Sequence, residues 1–252
     1  MKFKPIKEIK KASVLLSNDD GINSIGIKIL EEELQKTGAD ITVVAPLGER
    51  SGAGHAVTSE LTGLEHYDSW MRLPRKIERF DERHYAVDGT PADCVNVALS
   101  LIMEGRKPDL VITGINIGRN LAEDITYSGT VGAAMEGLIH GVRSIAFSQQ
   151  IEGRIPDWQI ARQYAAPLTE KLIAQSFDIN TLISINFPNV PLSELRGISL
   201  ARHGERRFPQ KELLNQTWPD DYQEIEKNQI VITPLKIDFT DYEALDKLKT
   251  LF

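Results

Sequence analysis

Short apolar runs that end in turn residues alternate with stretches whose apolar residues recur at helical spacing, and this alternation limits what the chain can fold into. Residues 13–16 are an apolar run entering Ser17-Asn18-Asp19-Asp20-Gly21. Ile25, Ile29, Leu30 and Leu34 then mark one helix face, with Gly38 as a stop. Residues 41–45 are a β-branched run closed by Pro46, which predicts a second strand, and a Gly-rich loop from Gly48 to Gly54 follows. Residues 57–61 and 84–87 are short strand candidates. Thr90-Pro91 suits a helix start, and Ala92, Val95, Ala98, Leu99 and Ile102 supply its apolar stripe. Residues 110–113 predict a strand that opens into a loop from Gly114 to Asn120. A helix is expected from near Ser128 to His140, then a strand over 144–147, a helix over 164–175 and a buried strand over 182–186. Together these predict an α/β fold with a mostly parallel sheet and helices on both faces. Ligands bind such sheets beyond the carboxyl ends of strands, and the loops with the most reactive residues all follow predicted strands.

Past residue 190 the periodicity weakens, with strand candidates at 230–232 and 235–237 and a last helix over 242–248. Charged residues at 26% and hydrophobic ones at 41% argue against wholesale disorder. No apolar run approaches the roughly 18 residues of a membrane span, so no membrane partner is expected. The basic start, residues 1–11, reads as a solvated arm, because the apolar stretch behind it is too short for a signal peptide. Cys94 is the only cysteine, which excludes an intrachain disulfide, argues against a Cys-based zinc site and fits a reducing cytoplasm. A formal charge of −7 is unlike a nucleic-acid binder. An acidic chain that handles phosphate needs a local counter-charge, which a metal cation and backbone N–H groups would supply.

Several loops could supply that chemistry. Asp19 and Asp20 are adjacent carboxylates that repel unless a cation lies between them, and their oxygens suit Mg²⁺ or Mn²⁺. An ordinary Asn-Asp-Gly surface turn is the competing reading. Ser51 offers a hydroxyl in a loop whose glycines permit close approach of an anion, although taken alone a flexible polar loop is the better reading. Asn116 and Asn120 carry amides that can face a cation or a phosphate, or simply serve turns. Ser128, Gly129 and Thr130 stand at a helix start, where free N–H groups bind phosphate or a side chain caps the helix. Asp88 and Asp93 read as structural, Cys94 as core, and His55, His66, His84, His140 and His203 lack metal-ligand spacing. His203 with Arg202, Arg206 and Arg207 reads as a solvated face. There is no Walker phosphate loop, no G-x-S-x-G elbow and no G-x-G-x-x-G in the first loop.

The segments SNDDGINSIGI, APLGERSGAGHAVT, VDGTPADCVNVAL, PDLVITGINIGRNLAEDITYSGTVGAAMEG and VITPL, in this order, resemble the SurE family of nucleotidases. The resemblance implies a Rossmann-like catalytic core, assigned here to residues 12–189. It also implies a C-terminal extension over 190–252 with a β-hairpin or arm used to build a homodimer or homotetramer. The implied activity is hydrolysis of nucleoside 5′-monophosphates, with 3′-monophosphates and short polyphosphate as further substrates. One Mg²⁺ or Mn²⁺ per subunit would sit on Asp19, Asp20, Ser51 and Asn116, with Asp19 and Asp20 catalytic and Asn120, Ser128, Gly129 and Thr130 around the phosphate. Thr113 stands where many members carry Ser, and the 190–228 region matches poorly. The competing functions are a nucleotide-binding regulator without turnover and a phosphorylated receiver. In a receiver the phosphoacceptor would fall at Gly114, which cannot be phosphorylated.

Overall fold

The computed structural model describes residues 1–58, 76–103, 106–151, 153, 155–205 and 218–251. Strands β1 (Ser13–Ser17), β2 (Asp40–Pro46), β3 (Ile77–Arg79), β4 (His84–Val87), β5 (Leu110–Ile117), β6 (Arg143–Gln149), β7 (Thr181–Phe187), β8 (Ile198–Leu200) and β9 (Ile230–Lys236) share one sheet. Among the described residues it has nine strands in the order β3-β4-β2-β1-β5-β6-β7-β9-β8. From β4 to β7 every neighbouring pair is parallel. β3 and β9 run antiparallel to β4 and β7, and β8 pairs in parallel with β9. The helices are α1 (Ile25–Gln35), α2 (Pro91–Val97), α3 (Asp124–Tyr127), α4 (Gly129–Ile139), α5 (Gln159–Ile173), α6 (Asp221–Ile225) and α7 (Tyr242–Leu248). None of the described helices is long and apolar enough to cross a membrane.

The central strands read as continuous apolar runs because both faces are covered. Val14 and Leu16 of β1 join Ile112, Ile145 and residues of α1 and α5 in one core cluster. Leu15, pointing the other way, joins Val44, Val87, Val111 and residues of α2 in a second. Leu15 and Leu16 are each fully buried, so truncating either to Ala costs about 2–5 kcal/mol.

The chain leaves β1 for β2 on one side and later returns to β1's other side as β5. The strand order therefore reverses between β1 and β5, and in open sheets of this kind ligands bind in the crevice beyond the carboxyl ends at such a reversal.

Several details differ from the sequence expectation. β5 continues through Asn116 to Ile117, where a loop is expected from Gly114, and its register against β6 shifts between Thr113 and Asn116. Gly114 makes this bulge possible: its φ is +113°, and a Cβ there would lie 2.2 Å from the carbonyl oxygen of Phe147. α5 begins at Gln159 instead of near residue 164. The two candidates around Pro234 are one strand, β9, which tolerates the proline because its neighbour β8 ends opposite Ile232. Val57 and Thr58 are not in a strand. Residues 59–61 of that candidate, with His66, Arg206, Arg207 and residues 211–217, lie outside the described residues.

Candidate active site at the β1–β5 switch point

Asp19 and Asp20 leave the end of β1 in a turn fixed by Asn18. The Asn18 side-chain amide donates to the carbonyl of Gly21 at 3.0 Å and accepts the N–H of Gly21 at 3.2 Å. Asp19 is 3% exposed, and its Oδ1 accepts the hydroxyl of Thr130 at 2.5 Å. Burial raises the Asp19 carboxyl above its ordinary value, against the pull of Thr130 and of the backbone N–H groups of Asp19, Thr130 and Gly129. This contact requires a small residue at 129, since a Cβ on Gly129 would lie 2.8 Å from the Asp19 Cβ and 3.0 Å from its Oδ2.

Asp20 is half-buried and turns toward β5, where its Oδ2 accepts the N–H of Ile117 at 3.1 Å. Burial pushes its carboxyl up to about 6, and the negative charges of Asp19 and Glu49 add to the shift. Neither aspartate has a Lys, Arg or His partner within ion-pair distance among the described residues. Asn116 is 9% exposed and adjoins the Ile117 N–H that Asp20 uses. Its NH₂ donates to the carbonyl of Gly118 at 2.8 Å, which leaves the amide oxygen as its free acceptor.

The Gly48–Gly54 loop approaches from β2. The Arg50 N–H donates to the carbonyl of Asp19 at 2.7 Å, the Gly54 N–H to that of Tyr127 at 2.9 Å, and the Arg50 guanidinium pairs with Asp88 at 2.9 Å. Exposed Ser51 donates its hydroxyl to Glu49 at 2.9 Å. Farther along this segment, His55 Nε2 lies 2.6 Å from Oε2 of buried Glu136 on α4, and Thr58 binds Asp93 through its N–H at 2.9 Å.

The remaining candidates are buried and occupied. Asn120 donates its NH₂ to Ser148 at 2.8 Å and exchanges backbone bonds with the side chain of Asn186. Ser128 caps α4 by accepting the Val131 N–H at 3.0 Å. The expected phosphate cradle at Ser128–Thr130 therefore faces the Asp19 carboxylate. Asp93 completes a capping box with Thr90, and Cys94 is buried.

The structure thus brings Asp19, Asp20 and Asn116 together, with Ser51 one residue from a backbone bond to Asp19. Glu49, which faces this acidic corner from the second loop, is not identified by the sequence reading. Only proximity in the fold marks it. No group of three or more His, Cys, Asp or Glu able to hold a metal exists among the described residues. The oxygen groups these loops offer a cation are two carboxylates, a hydroxyl and an amide. That oxygen donor set suits a hard divalent ion, and the uncompensated charge of the two carboxylates is what such an ion would relieve.

The chain matches the family profile described as Survival protein SurE over residues 14–210. It is 37% identical over 273 residues to the 5'-nucleotidase SurE of Paramagnetospirillum magneticum, covering 100% of both chains. It is likewise 37% identical to the 5'-nucleotidase SurE of Rhodospirillum rubrum, covering 99% of this chain and 100% of that one. The crystal structure of the SurE protein from Aquifex aeolicus superposes with a TM-score of 0.80 at 35% identity, covering 95% of this chain and 99% of that one. With its sheet order, its switch-point carboxylates and these full-length likenesses, the chain belongs to the SurE family.

Proposed function

We propose that this chain is a divalent-metal phosphomonoesterase that releases phosphate from nucleoside 5′-monophosphates. The observation that carries the reading is the pair of adjacent, largely buried carboxylates at the switch point, with no cationic partner among the described residues. The name 5'-nucleotidase, borne by relatives across their full length, supports it.

In this reading Asp19, Asp20, Ser51 and Asn116 hold one Mg²⁺ or Mn²⁺. Bound there, such a cation supplies positive charge against the phosphoryl oxygens as negative charge builds in the transition state. The chain's own part is positioning. Thr130 ties Oδ1 of Asp19 and the Ile117 N–H ties Oδ2 of Asp20, so both carboxylates are held in place at the end of β1. The Asn116 amide is oriented by Gly118 in the same way. Asp20, the less buried of the two aspartates, is the one in reach of an attacking water and accepts its proton. Ser128, Gly129 and Thr130 serve the phosphate indirectly, by fixing Asp19. Asn120 fixes the β5–β6–β7 edge beside it.

Phosphate release from AMP, assayed with Mg²⁺ or Mn²⁺ and again with EDTA, tests the proposal. Turnover should require the metal and vanish in Asn116→Ala. Metal-independent hydrolysis, or none under any condition, would sink it. 3′-Monophosphates and short polyphosphate belong in the same assay as further substrates. The 190–252 segment is assigned to assembly of a homodimer or homotetramer, and the setting is taken to be the cytoplasm. Exposed Leu200 on the short outer strand β8 and exposed Trp218 support an assembly role for this segment.

A further inference from the structure

α2 is continued by a π-helical turn, Ala98–Ile102, and Ile102 and Met103 at its end lie beside Ser13, Asp40 and Thr42 near the amino ends of β1 and β2. Ser13, Thr42 and Tyr85 lie on the same sheet face as Leu15, Val44 and Val87, which pack against α2. Beyond Met103 that face opens into a cavity of about 530 Å³ at the end of the sheet opposite the candidate active site. Arg79, Arg83, Arg106 and Lys107 line it, against Asp40 and Glu82.

We propose that this cavity is a second ligand site, for a phosphate-rich small molecule of nucleotide size. Its volume lies within the range of small-molecule pockets. Its lining is net cationic in a chain whose formal charge is −7. The cations come from separate segments: Arg79 from β3, Arg83 from the turn into β4, and Arg106 and Lys107 from the approach to β5. Arg83 is matched, lying 2.6 Å from Asp40 and 3.3 Å from the Thr42 hydroxyl. Arg106 and Lys107 have no carboxylate partner among the described residues. Arg79 is steadied by donating to the carbonyl of Asp81 at 2.8 Å and by lying 5.8 Å from the centre of the Tyr85 ring. Guanidinium forks bind phosphate oxygens without a metal. Tyr85, Ile102 and Met103 give the apolar floor on which a base can rest.

Calorimetric titration of the whole protein with ATP, and separately with tripolyphosphate, tests this in EDTA, which removes any contribution from a metal at the β1–β5 edge. Saturable binding of about one ATP per chain is expected. The Kd should rise at least tenfold in the Arg106→Glu/Lys107→Glu double variant and in Arg79→Glu on the opposite wall, and stay unchanged in Asn116→Ala. Thermal melts identify a variant that fails to fold, and the other wall then carries the test. Tighter binding of ATP assigns the site to nucleotides, whereas equal affinity assigns it to the phosphate chain alone; either result supports the site. No saturable binding, or binding that survives both charge reversals or disappears in Asn116→Ala, would overturn it. The nucleotidase assay is independent, so either reading can fail alone.

Discussion

At the scale of single residues, the two aspartates differ in how they are held. Asp19 is buried against α4 and Asp20 is tied to the backbone of β5. Asp19→Asn keeps the shape and the Thr130 contact but removes the charge. AMP turnover should fall on the order of 10³-fold, about 4 kcal/mol of transition-state stabilisation, with the melting temperature little changed. A variant that still turns over near the normal rate would remove Asp19 from the chemistry. Thr130→Val is nearly isosteric and deletes one bond to a charged group, worth about 1.5–3 kcal/mol. Its expected mark is a metal concentration for half-maximal activity raised roughly tenfold or more. Asp19, Asp20, Ser51 and Asn116 stand out in the sequence as candidates because each follows a predicted strand, and only the family resemblance joins them into one set. The docking of Ser128–Thr130 onto Asp19 is not visible there, because a helix start looks the same whether its N–H groups meet a phosphate or a carboxylate.

At the scale of elements, α4 meets both sides of the site. Its first turn contacts Asp19, and Gly132 lies so close to the Ser51 segment that a Cβ would be 2.4 Å from the carbonyl oxygen of Gly54. Gly132→Ala should push that loop outward. Metal affinity measured by titration should drop while far-ultraviolet circular dichroism stays native, and unchanged affinity would show that the loop's seating is irrelevant. One turn on, Glu136 is buried, yet its neighbours His140 and His55 more than offset that burial and hold its carboxyl down at about 2. A depressed carboxyl stabilises the fold fully above its unfolded value of 4.5, and the stabilisation is lost as pH falls from there toward 2. Glu136→Gln should therefore cost roughly 2 kcal/mol at neutral pH and melt with a shallower dependence on pH between 5 and 3 than the parent. Elements with long apolar periods, such as β1, α1, β2, α4 and β7, are legible in the sequence to within a residue or two. β3, β8, α3 and α6 are not, because each is only three to five residues long and forms through contacts distant in the chain. β5 is read short because Gly114 looks like a terminator, whereas its backbone freedom is what lets the strand bulge and continue.

For the whole molecule, a cation bound only by the folded chain adds stability by mass action, about 2.7 kcal/mol at a hundredfold excess over its Kd. For a chain of this size the melting temperature should rise by roughly 5–10 °C with Mn²⁺ or Mg²⁺. The rise should vanish in Asn116→Ala, and an equal rise in that variant would place the cation elsewhere. β5 runs to Ile117 while its neighbour β1 ends at Ser17, so the longer strand carries Asn116 out to the rim of the crevice. A donor mounted on sheet backbone cannot slide to follow a larger sphere. In the proposed reading Asn116 is the one donor fixed by the ladder that holds the interior, so it is this residue that works against Ca²⁺, whose wider and more pliant shell needs yielding donors throughout.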